Sequence, residues 1–176
     1  MANFNQIRAH LQQRKLPYNI IDLGGDPSVN SGQAIFKVED VVQAGVKADE
    51  IVKTLLVRST VKPPFAKASE GWRGLEFKTE FNALAIRGRD RLDFKKVRRI
   101  FSPKTDLAKA DEVQEVVGVP VGAVCPILIG IPLYFDSKVM GLKNVNLGSG
   151  DLTRGLDMKL ADLLTAVGEH EIKDLV

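Results

Sequence analysis

Residues 132–168 read PLYFDSKVMGLKNVNLGSGDLTRGLDMKLADLLTAVG. Strand-length apolar signals stand at 132–136, at 144–148, where Val145 and Leu147 alternate, and at 156–158. A helical period begins only after them: Leu160, Leu163, Leu164 and Val167 fall at i, i+3, i+4 and i+7, and Gly168 follows. Short strands that succeed one another this way lack the regular βαβαβ rhythm of a doubly wound sheet. The stretch predicts a mixed, largely antiparallel α+β fold.

The pattern extends upstream. Asp93–Phe101 predicts a helix with Phe94, Val97 and Phe101 inward and Lys95, Lys96, Arg98 and Arg99 outward. Val113, Val116 and Val117 predict another, ended by Gly118, and a Gly/Pro-rich apolar stretch follows over 118–135. Strands are expected at Phe81–Arg87 and Thr54–Val57, the latter entered from a short helical turn around Asp49–Val52. Ile35, Val38 and Val42 place a helix over 33–44. Asn19–Leu23 reads as a strand stopped by Gly24-Gly25-Asp26-Pro27. Phe4, Ile7 and Leu11 line one face of a helix over 1–15 that Pro17 terminates. Residues 60–76, with Lys62-Pro63-Pro64, show no period and read as an exposed excursion pinned by Trp72.

A chain of 176 residues suits one domain, here taken as 1–176. With 44% hydrophobic and 27% charged residues, collagen-like, disordered and disulfide-framework classes are excluded. The longest apolar run, Val124–Phe135, spans twelve residues and holds two prolines, so it does not cross a bilayer. The first residues lack the apolar core of a signal peptide. A single cysteine, Cys125, suits a reducing cytoplasm. With one Cys and two His there is no zinc constellation. Glu169-His170-Glu171 could ligate a metal, but reads more simply as a solvated tail.

Charge is concentrated. Arg87 to Arg99 holds seven Lys/Arg and two acids, a local +5 against +3 for the whole chain. Such a patch could meet phosphates with steep salt dependence, or be a solvated helix face. Lys53, at the mouth of the Thr54–Val57 strand, could project its ammonium into a cleft toward a phosphate or an oxyanion; the plainer reading is a surface lysine. Gly122 and Pro126 form a Gly-x-x-x-Pro bend whose N–H groups could hold an oxyanion, or a tight core connection. Gly148-Ser149-Gly150 has the wrong spacing for a dinucleotide fingerprint, and no P-loop is present. Asp157 could orient a substrate amine or water, or pair with Arg154 or Lys159. Cys125 lacks a histidine near it in sequence and reads as a small buried thiol.

Taken in order, Lys53-Thr54-Leu55, Leu92-Asp93-Phe94-Lys95-Lys96, Gly122-x-x-x-Pro126, Ser149-Gly150 and Arg154-Gly155-Leu156-Asp157 form a set. That set resembles the YbaK/EbsC family of aminoacyl-tRNA deacylases, related to the editing insertion of bacterial prolyl-tRNA synthetase. The resemblance implies a curved, mostly antiparallel, barrel-like sheet with surrounding helices. It implies a trans-editing hydrolase that cleaves the ester of mischarged aminoacyl-tRNA, with Cys-tRNA(Pro) or Ala-tRNA(Pro) favoured. Lys53 and Gly122 would be catalytic. Thr54, Ala123, Pro126, Ser149, Gly150 and Asp157 would bind substrate. Lys95, Lys96, Arg98 and Arg99 would contact the tRNA backbone. No metal or cofactor is required, prolyl-tRNA synthetase is a possible partner, and the setting would be cytoplasmic.

Three features depart from the family pattern. The 60–76 excursion is long, Leu23 and Gly24 stand where some members carry an aromatic residue, and Cys125 replaces a small hydroxyl residue. The competing readings are a non-catalytic module of the same fold that holds a nucleotide, an RNA end or a synthetase, and a hydrolase for some other small activated ester.

Overall fold

The computed structural model describes residues 3–24, 41, 42, 45–61 and 78–176. The helix expected over 33–44, the Gly25–Pro27 part of the first turn and the 62–76 part of the excursion lie outside these residues, except for Val41 and Val42, which are helical.

Helix α1 (Phe4–Gln13) buries Phe4, Ile7 and Leu11, as its period requires. Asn3 and Gln6 close a reciprocal capping box at its start. Strand β1 (Asn19–Asp22) follows. A 3₁₀ turn at Ala48–Glu50 then feeds β2 (Val52–Val61), which runs longer than its apolar core suggested. Thr60 and Val61 are therefore strand and not the start of an excursion. β3 (Lys78–Arg87), α2 (Phe94–Ile100), β4 (Thr105–Leu107) and α3 (Ala110–Val117) come next. The chain ends with β5 (Leu133–Asp136), a 3₁₀ turn at Ser137–Gly141, β6 (Asn144–Gly148), β7 (Arg154–Lys159), α4 (Leu160–Val167) and β8 (Glu171–Lys173).

The strands form a three-stranded sheet, β1-β7-β6, and a five-stranded sheet, β4-β2-β3-β5-β8. Pairings β1–β7, β6–β7, β2–β3 and β2–β4 are antiparallel, whereas β3–β5 and β5–β8 are parallel. The fold is mixed α+β and mostly antiparallel, as the sequence predicts. The described strands do not close into a barrel; a parallel bridge between Ile51 and Asn146 links the two sheets.

The largest core lies between the sheets and under α1 and α4, with Ile7, Leu11, Val52, Phe135, Val145, Leu156 and Leu163 among its members. The opposite face of the larger sheet buries Leu84 and Ile86 against Val97 of α2 and Leu175. Ala83, Leu84, Ala85 and Ile86 are all fully buried, so both faces of β3 are covered.

The chain's end corrects the solvated-tail reading. Glu171–Lys173 extends the five-stranded sheet beside β5. The Leu175 N–H donates to Asp136 Oδ2 at 2.8 Å, and the His170 ring meets Phe135 edge to face at 5.4 Å between centroids. Backbone pairing and burial of Leu175 hold this segment down, neither of which a polar tripeptide shows in sequence.

Candidate functional site

A cleft of about 190 Å³ opens where the two sheets meet. Its walls are largely apolar, with Ile51, Val52 and Leu55 from the β2 side, Val124 from the 118–126 bend and Leu147 from β6. Lys53, Thr54, Gly122, Asn146, Gly148 and Arg154 also line it. The structure thus brings the adjacent Lys53 and Thr54 to one cavity with Gly122, which is distant from them in sequence.

Lys53 sits opposite Ile86 in the β2–β3 ladder. Just past the end of β3, the Gly88 N–H donates to the Ile51 carbonyl at 2.7 Å, which turns the Gly88 carbonyl toward the lysine. Lys53 Nζ donates to that carbonyl at 2.8 Å. Burial holds the ammonium below the usual lysine range; Asp90 opposes this shift and Arg91 adds to it. Asp90 itself accepts from Arg87 Nε at 2.7 Å, which holds its carboxyl below the usual range.

Two bends meet at the far wall. Gly122 has φ 96°, a conformation that suits glycine. The Ala123 carbonyl accepts from the Gly150 N–H at 2.8 Å. Gly148 lies so near this bend that an added Cβ would fall 2.5 Å from the Val124 carbonyl oxygen.

The other expected site residues are placed differently. Ala123 is fully buried behind the Gly122 bend. Ser149 is also fully buried, and its hydroxyl donates to the Arg154 carbonyl at 2.7 Å and to the Asp151 carbonyl at 3.3 Å. It therefore ties the β6–β7 turn. Pro126 lines a separate hollow beside His10, Arg14 and Leu128. Asp157 pairs in register with Asn146 on the smaller sheet, outside the cleft lining, and makes no ion pair with Arg154 or Lys159.

Lys95, Lys96, Arg98 and Arg99 lie on or beside the outer face of α2, away from the cleft. Lys96 bonds Asp174 at 2.7 Å and the Val176 carbonyl, and Arg98 bonds Asp106 at 2.7 Å and the Thr105 carbonyl at 3.1 Å. Arg87 and Arg89 are paired with Asp90 and Asp49. Among the described residues, the side chains of Arg91, Lys95 and Arg99 have no acidic partner. The patch is thus partly neutralised.

Two lining residues escaped the sequence reading. Asn146 is only 3% exposed although it falls on the polar beat of β6. Its signal is an amide flanked by Val145 and Leu147 in a strand covered on both sides. Arg154, whose guanidinium lies 4.6 Å from the Phe4 ring centroid, enters the sequence reading as part of the Arg154-Gly155-Leu156-Asp157 motif and as a possible partner for Asp157, with no site role of its own. Cys125 is buried and its thiol is pushed up to about 12, so it stays protonated. Among the described residues no cluster of His, Cys, Asp or Glu could hold a metal ion, and no helix is long and apolar enough to cross a membrane.

Solved structures share this fold. A candidate trans-editing enzyme for prolyl tRNA synthetase is 21% identical with a TM-score of 0.68, over 98% of this chain and 95% of that one. Hypothetical protein APE2540 is 23% identical with a TM-score of 0.67, over 96% and 97%. A scaffold from computational epitope grafting is 19% identical with a TM-score of 0.69, over 98% and 95%. These likenesses define an α+β architecture of the kind found in that trans-editing candidate. The family model of the aminoacyl-tRNA editing domain matches residues 33–166, and the chain belongs to that family. No curated protein matches it.

Proposed function

We propose that this protein is a trans-acting hydrolase that removes a wrongly attached amino acid from tRNA. The observation that carries this reading is that Lys53, whose ammonium is held by the Gly88 carbonyl, and the Gly122 bend line one small, mostly apolar cleft.

The substrate is an ester between an amino acid and the terminal ribose. Water adds to the ester carbonyl, the tetrahedral intermediate collapses, and the products are the free amino acid and a tRNA with its hydroxyl restored. The ribose 2′-OH beside the ester assists the attack, as the family resemblance implies. Lys53 holds the terminal phosphate or the ester region, and main-chain N–H groups at Gly122 stabilise the oxyanion. Thr54 contributes at the same wall, while Ala123, Ser149 and Gly150 hold the bends in place. Pro126, in its separate hollow, and Asp157, on the smaller sheet, do not line this cleft. A cavity this small favours short side chains. The resemblance points first to cysteine or alanine on tRNA(Pro), with prolyl-tRNA synthetase as a partner and the cytoplasm as the setting. Lys95, Lys96, Arg98 and Arg99 face the RNA backbone, with Lys95 and Arg99 the freer pair.

A panel of tRNAs charged with different amino acids tests the proposal. Release of free amino acid from at least one supports it. Binding of tRNA without release from any would favour the non-catalytic module.

A further inference from the structure

Among the described residues that line the cleft, Lys53 and Arg154 are the only charged side chains, and no carboxylate stands with them. The Lys53 ammonium is already engaged by the Gly88 carbonyl. Arg154, the first residue of β7, is differently placed. Its side chain is 47% exposed although it lines the cleft, which puts it at the rim. Its guanidinium lies over the ring of Phe4, a buried residue of the capped helix α1. An aromatic ring attracts the cation without taking any of its N–H donors.

The nearby carboxylates leave those donors free. Asp151 Oδ2 lies 3.9 Å from Arg154 Nε, beyond hydrogen-bond reach. Asp151 Oδ1 accepts from the N–H and the hydroxyl of Thr153, both at 2.8 Å. Asp22 pairs with Arg154 in the β1–β7 register, but its Oδ1 accepts from the Gly24 N–H at 3.0 Å. A guanidinium offers five donors in a planar fork that matches phosphate geometry. One already seated on a ring loses less freedom when it binds.

In an aminoacyl-tRNA the ester is carried by the terminal ribose, and the nearest phosphate is the one that joins this nucleotide to the rest of the chain. An ester held inside the cleft therefore brings that phosphate to the rim. We infer that Arg154 binds the phosphate of the terminal nucleotide, which leaves Lys53 to the ester region. The source of the phosphate rests on the editing reading.

The test titrates the protein at fixed low salt with 5′-AMP, with adenosine and with inorganic phosphate. 5′-AMP should bind at least about tenfold more tightly than either of the others. Arg154→Gln should reduce the preference for 5′-AMP over adenosine to within about threefold while adenosine affinity stays the same. Arg154→Lys, which keeps the charge but not the fork, should retain part of it. Thermal melts report folding, and Arg154→Lys carries the test if Arg154→Gln does not fold. Adenosine or inorganic phosphate bound as tightly as 5′-AMP, a preference that survives in folded Arg154→Gln, or no binding of any of the three overturns the inference. Amino-acid release from the charged-tRNA panel by the unmodified protein is read separately. Release with no 5′-AMP preference overturns the inference alone, whereas a preference without release from any charged form overturns the editing reading.

Discussion

Lys53 Nζ and the Gly88 carbonyl oxygen are joined by a 2.8 Å hydrogen bond across 35 residues of sequence. The contact steers a flexible side chain, and the same burial that shapes it disfavours the charge it carries. Burial and the nearby Arg91 both act against the ammonium, and Asp90 only partly offsets them. The proton therefore leaves at a lower pH than from an exposed lysine. If deacylation uses the charged form, kcat/KM falls on the alkaline side before the usual lysine range is reached. Arg91→Gln removes a like charge, raises the Lys53 pKa and moves that limb to higher pH. A pH–rate profile of both proteins checks the direction, and a limb unmoved by Arg91→Gln would contradict it.

Gly148 is the tightest point between the two bends. An alanine there would place Cβ 2.5 Å from the Val124 carbonyl oxygen and 3.0 Å from the carbonyl carbon and oxygen of Ala123. These are backbone atoms, which cannot swing aside as a side chain can. Gly148→Ala should destabilise the fold by about 1–3 kcal/mol and lower deacylation with it. Urea unfolding monitored alongside activity measures both, and an unchanged midpoint would show that the bends are not braced in this way.

The basic helix should divide by function. Lys96 and Arg98 are engaged with Asp174, Asp106 and main-chain carbonyls, whereas Lys95 and Arg99 are not paired with any described acid. Lys95→Gln with Arg99→Gln should weaken tRNA association and lower the slope of log affinity against log salt by roughly one per lost phosphate contact. Lys96→Gln with Arg98→Gln should act mainly on stability. Salt titrations of binding, paired with thermal melts, separate the two effects. Equal affinity and slope for Lys95→Gln, Arg99→Gln and the unmodified protein would remove the helix from RNA binding.

The elements that could be read from sequence are those with a period. Phe4, Ile7 and Leu11 announce α1, and Leu160, Leu163, Leu164 and Val167 announce α4, because the buried stripe repeats with the helix turn. Strands β4 and β8 have three residues each, and carry Asp106 and Glu171 respectively. Their conformation comes from ladders offered by β2 and β5, which local pattern does not encode.

The same division holds at the site. Lys53 was visible from its place before an apolar run, but its tether at Gly88 was not. The family resemblance implies a substrate-binding role for Ser149, yet the β6–β7 turn uses its hydroxyl. Asn146 lies between the alternating Val145 and Leu147, where a period of two puts it on the other face. Alternation implies one wet face, and that rule fails at Asn146, which is buried and bridged to Ile51.

The central claim is tested most directly by measuring the release of free amino acid from mischarged tRNA by the unmodified protein and by Lys53→Ala. We expect release from at least one charged form, and its loss by at least about a hundredfold in a variant whose melting temperature is nearly unchanged. Full activity in a folded Lys53→Ala protein would contradict the account.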